Sequence, residues 1–253
     1  MIIRKSRQEL DRMRRAGRIV AETISAVLEA VHPGATTADL DRVAEAVIRE
    51  RGATPSFLGY RGTYPATICA SIDDEIVHGI PSRERILEEG QLLSLDFGAI
   101  WEGFHADSAV SVFVGDAAPG EDAARLLKTT EEALHAGIEA VRPGGRLSDI
   151  GHAIESVAEP AGLGIVREYG GHGIGRALHE DPFIQNFGRP GRGPDLRPGL
   201  VLAIEPMLML GDEATRVLAD DWTVVTADGS LAAHFEHTVA VTDDGAEVLT
   251  ARG

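Results

Sequence analysis

The sequence predicts an α/β domain of the α+β kind, in which two halves of similar plan each run from a pair of helices into strands. Two sets of internal matches predict it. The helical stretch "EAVHPGATTADLDRVAEAVI" (29–48) aligns without a gap on "EAVRPGGRLSDIGHAIESVA" (139–158), sharing Glu, Ala, Val, Pro, Gly, Asp, Glu and Val in register. Downstream, "EGQLLSLD" (89–96) matches "PGLVLAIE" (198–205), and "HADSAVSV" (105–112) matches "HFEHTVAV" (234–241). The first match pairs two apolar strands that end in a carboxylate. The second pairs two segments with a carboxylate two residues after a histidine. The expected organisation is one domain over 1–253, made of pseudo-symmetric halves at about 1–115 and 116–253.

Taken in order, Leu10, Met13, Gly17, Val20, Ile24, Val27 and Val31 recur at alternating steps of three and four, which predicts an amphipathic helix over 6–32. Pro33-Gly34 stops it, and Thr36 or Thr37 caps a second helix running to 51, with Asp39 in its first turn. In "QLLSLDFGAIWEGFHADSAVSVFV" the apolar alternation on both sides of "AIWEGF" predicts a hairpin. A turn centred between Trp101 and Glu102 would set Asp96 directly opposite Asp107 on one face. The Gly/Pro-rich "GRPGRGPDLRPG" (188–199) reads as an exposed, mobile loop that carries no site residue.

The net charge of −16 argues against nucleic acid or an anionic membrane as the main partner. One local exception is the run Arg4, Lys5, Arg7, Arg12, Arg14, Arg15 and Arg18, a solvated helix face or a docking face for an acidic partner. A single cysteine, Cys69, leaves no internal disulfide and fits a reducing compartment. "MIIRKSRQEL" lacks the apolar core of a signal peptide, and the longest apolar run, "LVLAIEPMLML", is interrupted by Glu205 and too short to span a bilayer. A cytoplasmic protein is expected.

The repeat relates Asp96 to Glu205 and Asp107 to Glu236, each within or at the end of an apolar strand. Like charges held side by side in a core sheet repel, so something must offset the cost, and a bound cation does so most directly. Four carboxylates and one imidazole form an oxygen-rich shell with room for two divalent ions. Mn, Fe(II) or Co fits such a set better than tetrahedral structural zinc. The imidazole is sought in "YGGHGIGRALHEDP" (169–182), where His172 is chosen and the glycines are expected to let backbone crowd the metal and its substrate. Other motif readings fail. "GGHGIGR" lacks the third glycine of a dinucleotide loop, "DFG" at 96–98 has no kinase motifs around it, and no G-x-S-x-G elbow occurs.

Together, "HGIP" (78–81), "LDFGAIWEGFHAD" (95–107), "GHGIG" (171–175), "IEP" (204–206) and "HFEHT" (234–238) resemble the type I methionine aminopeptidases over nearly the whole chain. The resemblance implies the pita-bread fold, a central antiparallel sheet with helices packed on one side, shared with creatinase and prolidase. It implies that Asp96 chelates one ion, His172 and Glu205 the other, while Asp107 and Glu236 bridge them. A hydroxide of lowered pKa would attack the first peptide carbonyl, and Glu205 would carry the proton to the leaving amine. His179 would steady the oxyanion, and His78 would contact the peptide near the leaving nitrogen. Tyr60, Tyr64, Cys69 and Trp222 match the family's methionine pocket, where sulfur–aromatic contact suits a thioether. Phe57 and Leu178 depart from that pocket's pattern, and Thr63 is an extra residue between the two tyrosines.

The expected activity is therefore removal of the initiator methionine from nascent proteins and peptides with a small second residue, by a monomer. The basic N-terminal helix is a candidate contact with the ribosome. The alternatives are a proline-directed exopeptidase on the same fold and a catalytically inactive binding module. All five ligand types are present, which favours an enzyme. The chain's own second residue, Ile2, is too bulky for a steric limit beyond methionine, so Met1 is expected to stay in place. Intact-mass measurement checks this, and a chain starting at Ile2 would contradict the steric limit.

Overall fold

The computed structural model describes residues 1–252. Its first helix, α1 (Arg7–Glu29), starts at a capping box in which the Ser6 hydroxyl accepts from the Glu9 N–H and the Glu9 carboxylate accepts from the Ser6 N–H. Met13, Ile19, Val20, Ile24 and Val27 on its inner face are fully buried, each contributing about 1.5–3 kcal/mol from burial. The helix ends before the predicted residue 32. The N–H groups of Ala30 and Val31 reach back three residues, to Val27 O and Leu28 O, which tightens and closes the last turn. Helix α2 (Thr37–Glu50) is capped by Thr36, whose hydroxyl accepts from the Asp39 N–H. Helices α3 (Glu121–Glu139) and α4 (Leu147–Ala158) follow in the later part of the chain.

The strands form four sheets among the described residues, and every pairing is antiparallel. Helix α1 packs against the hairpin Leu92–Trp101/Phe104–Phe113, and α3 packs against Val201–Ile204, Met207–Met209 and Ala232–His234. One large core joins these layers, from Ile19 and Ile24 through Leu93, Leu95 and Phe97 to Ile150, Leu202 and Val239.

The hairpin is formed, with a register that differs from the expected one. Trp101 pairs with Phe104, so the two-residue turn is Glu102-Gly103, and Asp107 lies opposite Gly98 while Asp96 lies opposite Ala109. Both turn residues have positive φ, 47° at Glu102 and 78° at Gly103, as a tight I′-type connection requires. Because the slip is an even number of residues, Asp96 and Asp107 remain on one face as a diagonal pair.

Two other expectations change. Lys5 precedes α1 and is buried, its ammonium 2.7 Å from Glu180 Oε2, so it is no part of a solvated helix face. Segment 188–199 is largely exposed but pinned: Leu196 is fully buried, and the Pro194 carbonyl accepts from Leu147 N–H at the start of α4.

Gly17 is the point where α1 touches the C-terminal segment, and a Cβ there would lie 2.1 Å from the Leu249 carbonyl oxygen. Helix propensity alone would reward Gly17→Ala by about 1 kcal/mol. Backbone cannot yield as a side chain can, so the expected outcome is a net loss of about 1–3 kcal/mol. Urea denaturation of the metal-free variant reads the sign.

Candidate metal centre

Each of the five expected ligands is delivered by a strand or a strand end. Asp96 and Asp107 sit on the two arms of the hairpin, with Cys69 directly across from Asp96 on the neighbouring strand Ile68–Ile72. His172 is the middle residue of Gly171–Gly173, paired with Phe183 on one side and Ala203 on the other. Glu205 follows Val201–Ile204, and Glu236 lies between Ala232–His234 and His237–Thr242. The hairpin is stitched to this last segment. Ala109 and Glu236 exchange backbone hydrogen bonds, Thr238 Oγ1 accepts from Asp107 N–H and donates to Asp107 O, and Ser108 Oγ donates to Glu236 O. These bonds draw the two repeat-related carboxylate pairs into one place.

The glycines around His172 answer to this packing. A Cβ on Gly171 would lie 2.4 Å from the Ala203 carbonyl oxygen, and one on Gly173 would lie 2.1 Å from that of Asp181. Neither has a positive φ, so glycine is needed because neighbouring strands lie against the backbone. The expectation that these glycines open room for a metal and its substrate is replaced by this one.

Asp107, His172 and Glu236 each offer a donor atom, all within 4.8 Å of one another, and all three residues are buried. The His172 Nε2 lies 3.5 Å from Glu205 Oε1 and 4.0 Å from Asp107 Oδ2. Its other nitrogen, Nδ1, is 2.9 Å from the Gly173 carbonyl oxygen. A carbonyl only accepts, so Nδ1 carries the proton and Nε2 presents a bare lone pair to two carboxylates. Burial lowers the His172 pKa to about 3, so a second proton does not resolve the conflict near neutrality. Asp96 Oδ1, Asp107 Oδ1 and Glu236 Oε1 are also buried without a hydrogen-bond partner. An acceptor-only cluster of this kind fits a divalent cation.

Burial pushes the carboxylates up as well: Asp96 to about 6, and Asp107, Glu205 and Glu236 well above the ordinary range, the neighbouring carboxylates adding to the shift of Asp107 and Glu236. Desolvation likewise lowers His78 and His179 to about 4, leaving both neutral.

All of the sequence-predicted site residues line one cavity of about 470 Å³: Asp96, Asp107, His172, Glu205 and Glu236, with His78, His179, Tyr60, Tyr64, Cys69 and Trp222. The His179 ring lies 4.1 Å from that of His172, and the Tyr60 hydroxyl is 2.8 Å from His179 Nδ1. His78 has a φ of 63° and stands edge-on to Tyr169 and Trp222. Tyr64 meets Trp222 edge-to-face at 5.0 Å and donates its hydroxyl proton to Ile68 O at 3.0 Å, so it serves as wall. Phe57 and Leu178 are buried in the same wall. Thr63 is exposed, in a turn whose Arg61 and Gly62 have positive φ, and the extra residue loops outward.

One imidazole beside the carboxylate cluster escaped the sequence reading. His234 is buried, with Nε2 3.6 Å from Glu205 Oε2. The repeat pairs it with His105, but His105 bonds to Ser56 Oγ and is not in the cavity wall. Only the tertiary pairing distinguishes the two.

The profile of metallopeptidase family M24 matches residues 11–243. The chain belongs to metallopeptidase family M24. It is a metal-dependent peptidase by that membership and by the ligand cluster. It is 54% identical over 256 residues to methionine aminopeptidase 1 of Mycobacterium tuberculosis, covering 99% of this chain and 95% of that one. The methionine aminopeptidase of Clostridium acetobutylicum is 52% identical over 250 residues, with 99% of each chain covered. The crystal structure of methionine aminopeptidase from Thermotoga maritima superposes with a TM-score of 0.97 at 42% identity, over 100% of both chains. The resemblance read from the motifs and the pita-bread fold it implied are borne out. A Pyrococcus horikoshii prolidase, 23% identical, shares the fold over 65% of its length with a TM-score of 0.79.

The acceptor cluster sets the pH dependence of metal uptake. A carboxylate with a raised pKa holds its proton to higher pH, and a cation must displace that proton. Stabilisation by added Mn(II) is therefore expected to grow with rising pH and to fade as pH drops through about 6, where Asp96 takes up its proton. At a free concentration of ~100 times Kd the shift amounts to about 2.7 kcal/mol. Thermal denaturation with and without Mn(II) across that range measures it.

Proposed function

We propose that this chain removes the N-terminal methionine from nascent proteins and peptides whose second residue is small. The observation that carries the reading is the bare His172 Nε2 facing Glu205 and Asp107 inside a cavity that continues into an aromatic, thiol-lined pocket. Asp96 would hold one divalent ion and His172 and Glu205 the other, with Asp107 and Glu236 contributing to both. Two such ions (Mn, Fe(II) or Co), when held there, would supply polarisation of the scissile carbonyl and a lowered pKa for the attacking water.

The remaining work falls to side chains. Glu205 is the proton carrier to the leaving amine, and its raised pKa suits that task. The Tyr60 phenol is a stronger acid than imidazole and donates to His179 Nδ1, which leaves Nε2–H of His179 as the donor to the developing oxyanion. His78, neutral and held at positive φ, contacts the peptide next to the leaving nitrogen. Tyr60, Tyr64, Cys69 and Trp222 receive the thioether, and Phe57 and Leu178 shape its far wall.

The same reading makes the chain a single catalytic domain of two related halves, about 1–115 and 116–253, acting in the cytoplasm as a monomer. Among the described residues no helix is long and apolar enough to cross a membrane. Arg12, Arg15, Arg18 and Trp101 share a surface groove, which is the candidate ribosome contact. Arg12 and Arg14 are less suited to that contact because they are paired with Glu102 and Glu247.

Protein stripped of metal and then given Mn, Fe(II) or Co is expected to release methionine from Met-Ala-Ser and to leave Ala-Pro-Ser intact. Asp107→Ala abolishes release. His179→Ala lowers kcat by about 10²–10³. Cleavage of Ala-Pro-Ser instead would assign a proline-directed peptidase, and metal binding without any cleavage would assign a binding module.

A further inference from the structure

Glu205 stands between two imidazoles. Its Oε1 faces Nε2 of His172 at 3.5 Å, and its Oε2 faces Nε2 of His234 at 3.6 Å. The two rings are not equivalent. The His172 proton is committed to Nδ1 by the Gly173 carbonyl, so its Nε2 can only accept or ligate. No hydrogen bond fixes the tautomer of the His234 ring. Its proton is free to occupy Nε2, where the facing group is a carboxylate oxygen and a bare lone pair would repel. The His234 Nε2 is buried without a hydrogen-bond partner, like the orphaned oxygens of Asp96, Asp107 and Glu236.

The ring is mounted rigidly. His234 pairs with Met207, two residues beyond Glu205, on the adjacent strand. Ser111 Oγ accepts from the His234 N–H at 3.0 Å and donates to its carbonyl at 2.8 Å, while Ser94 Oγ lies 2.7 Å behind Ser111 Oγ. With Ser111 donating forward, Ser94 must donate to Ser111, so a chain of hydroxyls across the hairpin fixes the strand that carries the imidazole. At 3.6 Å the contact is just outside hydrogen-bond range, and a small rotation of the Glu205 carboxylate closes it.

We propose that His234 is a positioning residue of the metal centre: its Nε2–H donates to Glu205 Oε2 and turns Oε1 toward the ion shared with His172. The inference rests on the metal centre of the reading above and not on its methionine pocket. Partners that orient a ligand in this way are worth about 10–100-fold in metal affinity.

The test is calorimetric titration of Mn(II) alone into the stripped full chain, with His234→Leu and His234→Gln. A glutamine amide can donate the same hydrogen bond; leucine cannot. Expected is a loss of about 10–100-fold in affinity for His234→Leu, with His234→Gln remaining near the unaltered protein. Equal affinity in all three would overturn the proposal, as would an equal loss in both variants, which would make the imidazole a direct ligand. If circular dichroism shows that His234→Leu does not fold, His234→Gln with Co(II) decides. An unchanged visible spectrum and affinity support the donor role, and a shifted spectrum contradicts it. Protein that binds Mn(II) in this pattern but releases no methionine would remove the aminopeptidase reading and leave this inference standing.

Discussion

Four carboxylates share one cavity wall without a single lysine or arginine paired to them among the described residues; their close neighbours are the neutral imidazoles of His172 and His234. The strands around the cavity are laid out to hold this arrangement. Unpaired charge in such a place raises each carboxyl pKa and destabilises the fold when ionised. A chain retains it only where a cation offsets the repulsion. The direction of every shift in the cluster, carboxyls up and imidazoles down, follows from the same desolvation.

The fold holds the cluster together by backbone and hydroxyl bonds. Thr238 and Ser108 clamp the hairpin to the segment bearing Glu236, and glycines at 171 and 173 let neighbouring strands approach closely enough to bring His172 alongside Glu205. Ligand positions are thus set by strand register, and a strand cannot drift without turning side chains to the other face. The aromatic pocket continues from this rigid floor through Tyr60, Tyr64 and Trp222.

The helices were legible because a 3.6-residue stripe and capping residues are local signals, and Thr36 caps where the sequence places it. The candidate ligands were legible for a different reason: a carboxylate that interrupts an apolar strand is conspicuous wherever the strand lies. Strand register was less so. Glu102-Gly103 forms the turn with a glutamate at positive φ, a residue less typical there than asparagine or aspartate, and the expected centre fell one residue early. His234 and His105 look alike in the repeat, and only the pairing of His234 with Met207 carries one of them into the cavity. Lys5 looked like one of a run of exposed cations, yet Glu180 lies 175 positions away in the chain and 2.7 Å away in space.

The central claim is that these side chains form a divalent metal centre. Anomalous diffraction from crystals of the full chain grown with Mn(II), recorded on both sides of the manganese edge, tests it directly. The expected result is anomalous peaks bounded by Asp96, Asp107, His172, Glu205 and Glu236. A cavity without such a peak, in crystals that bind manganese elsewhere or not at all, would contradict it.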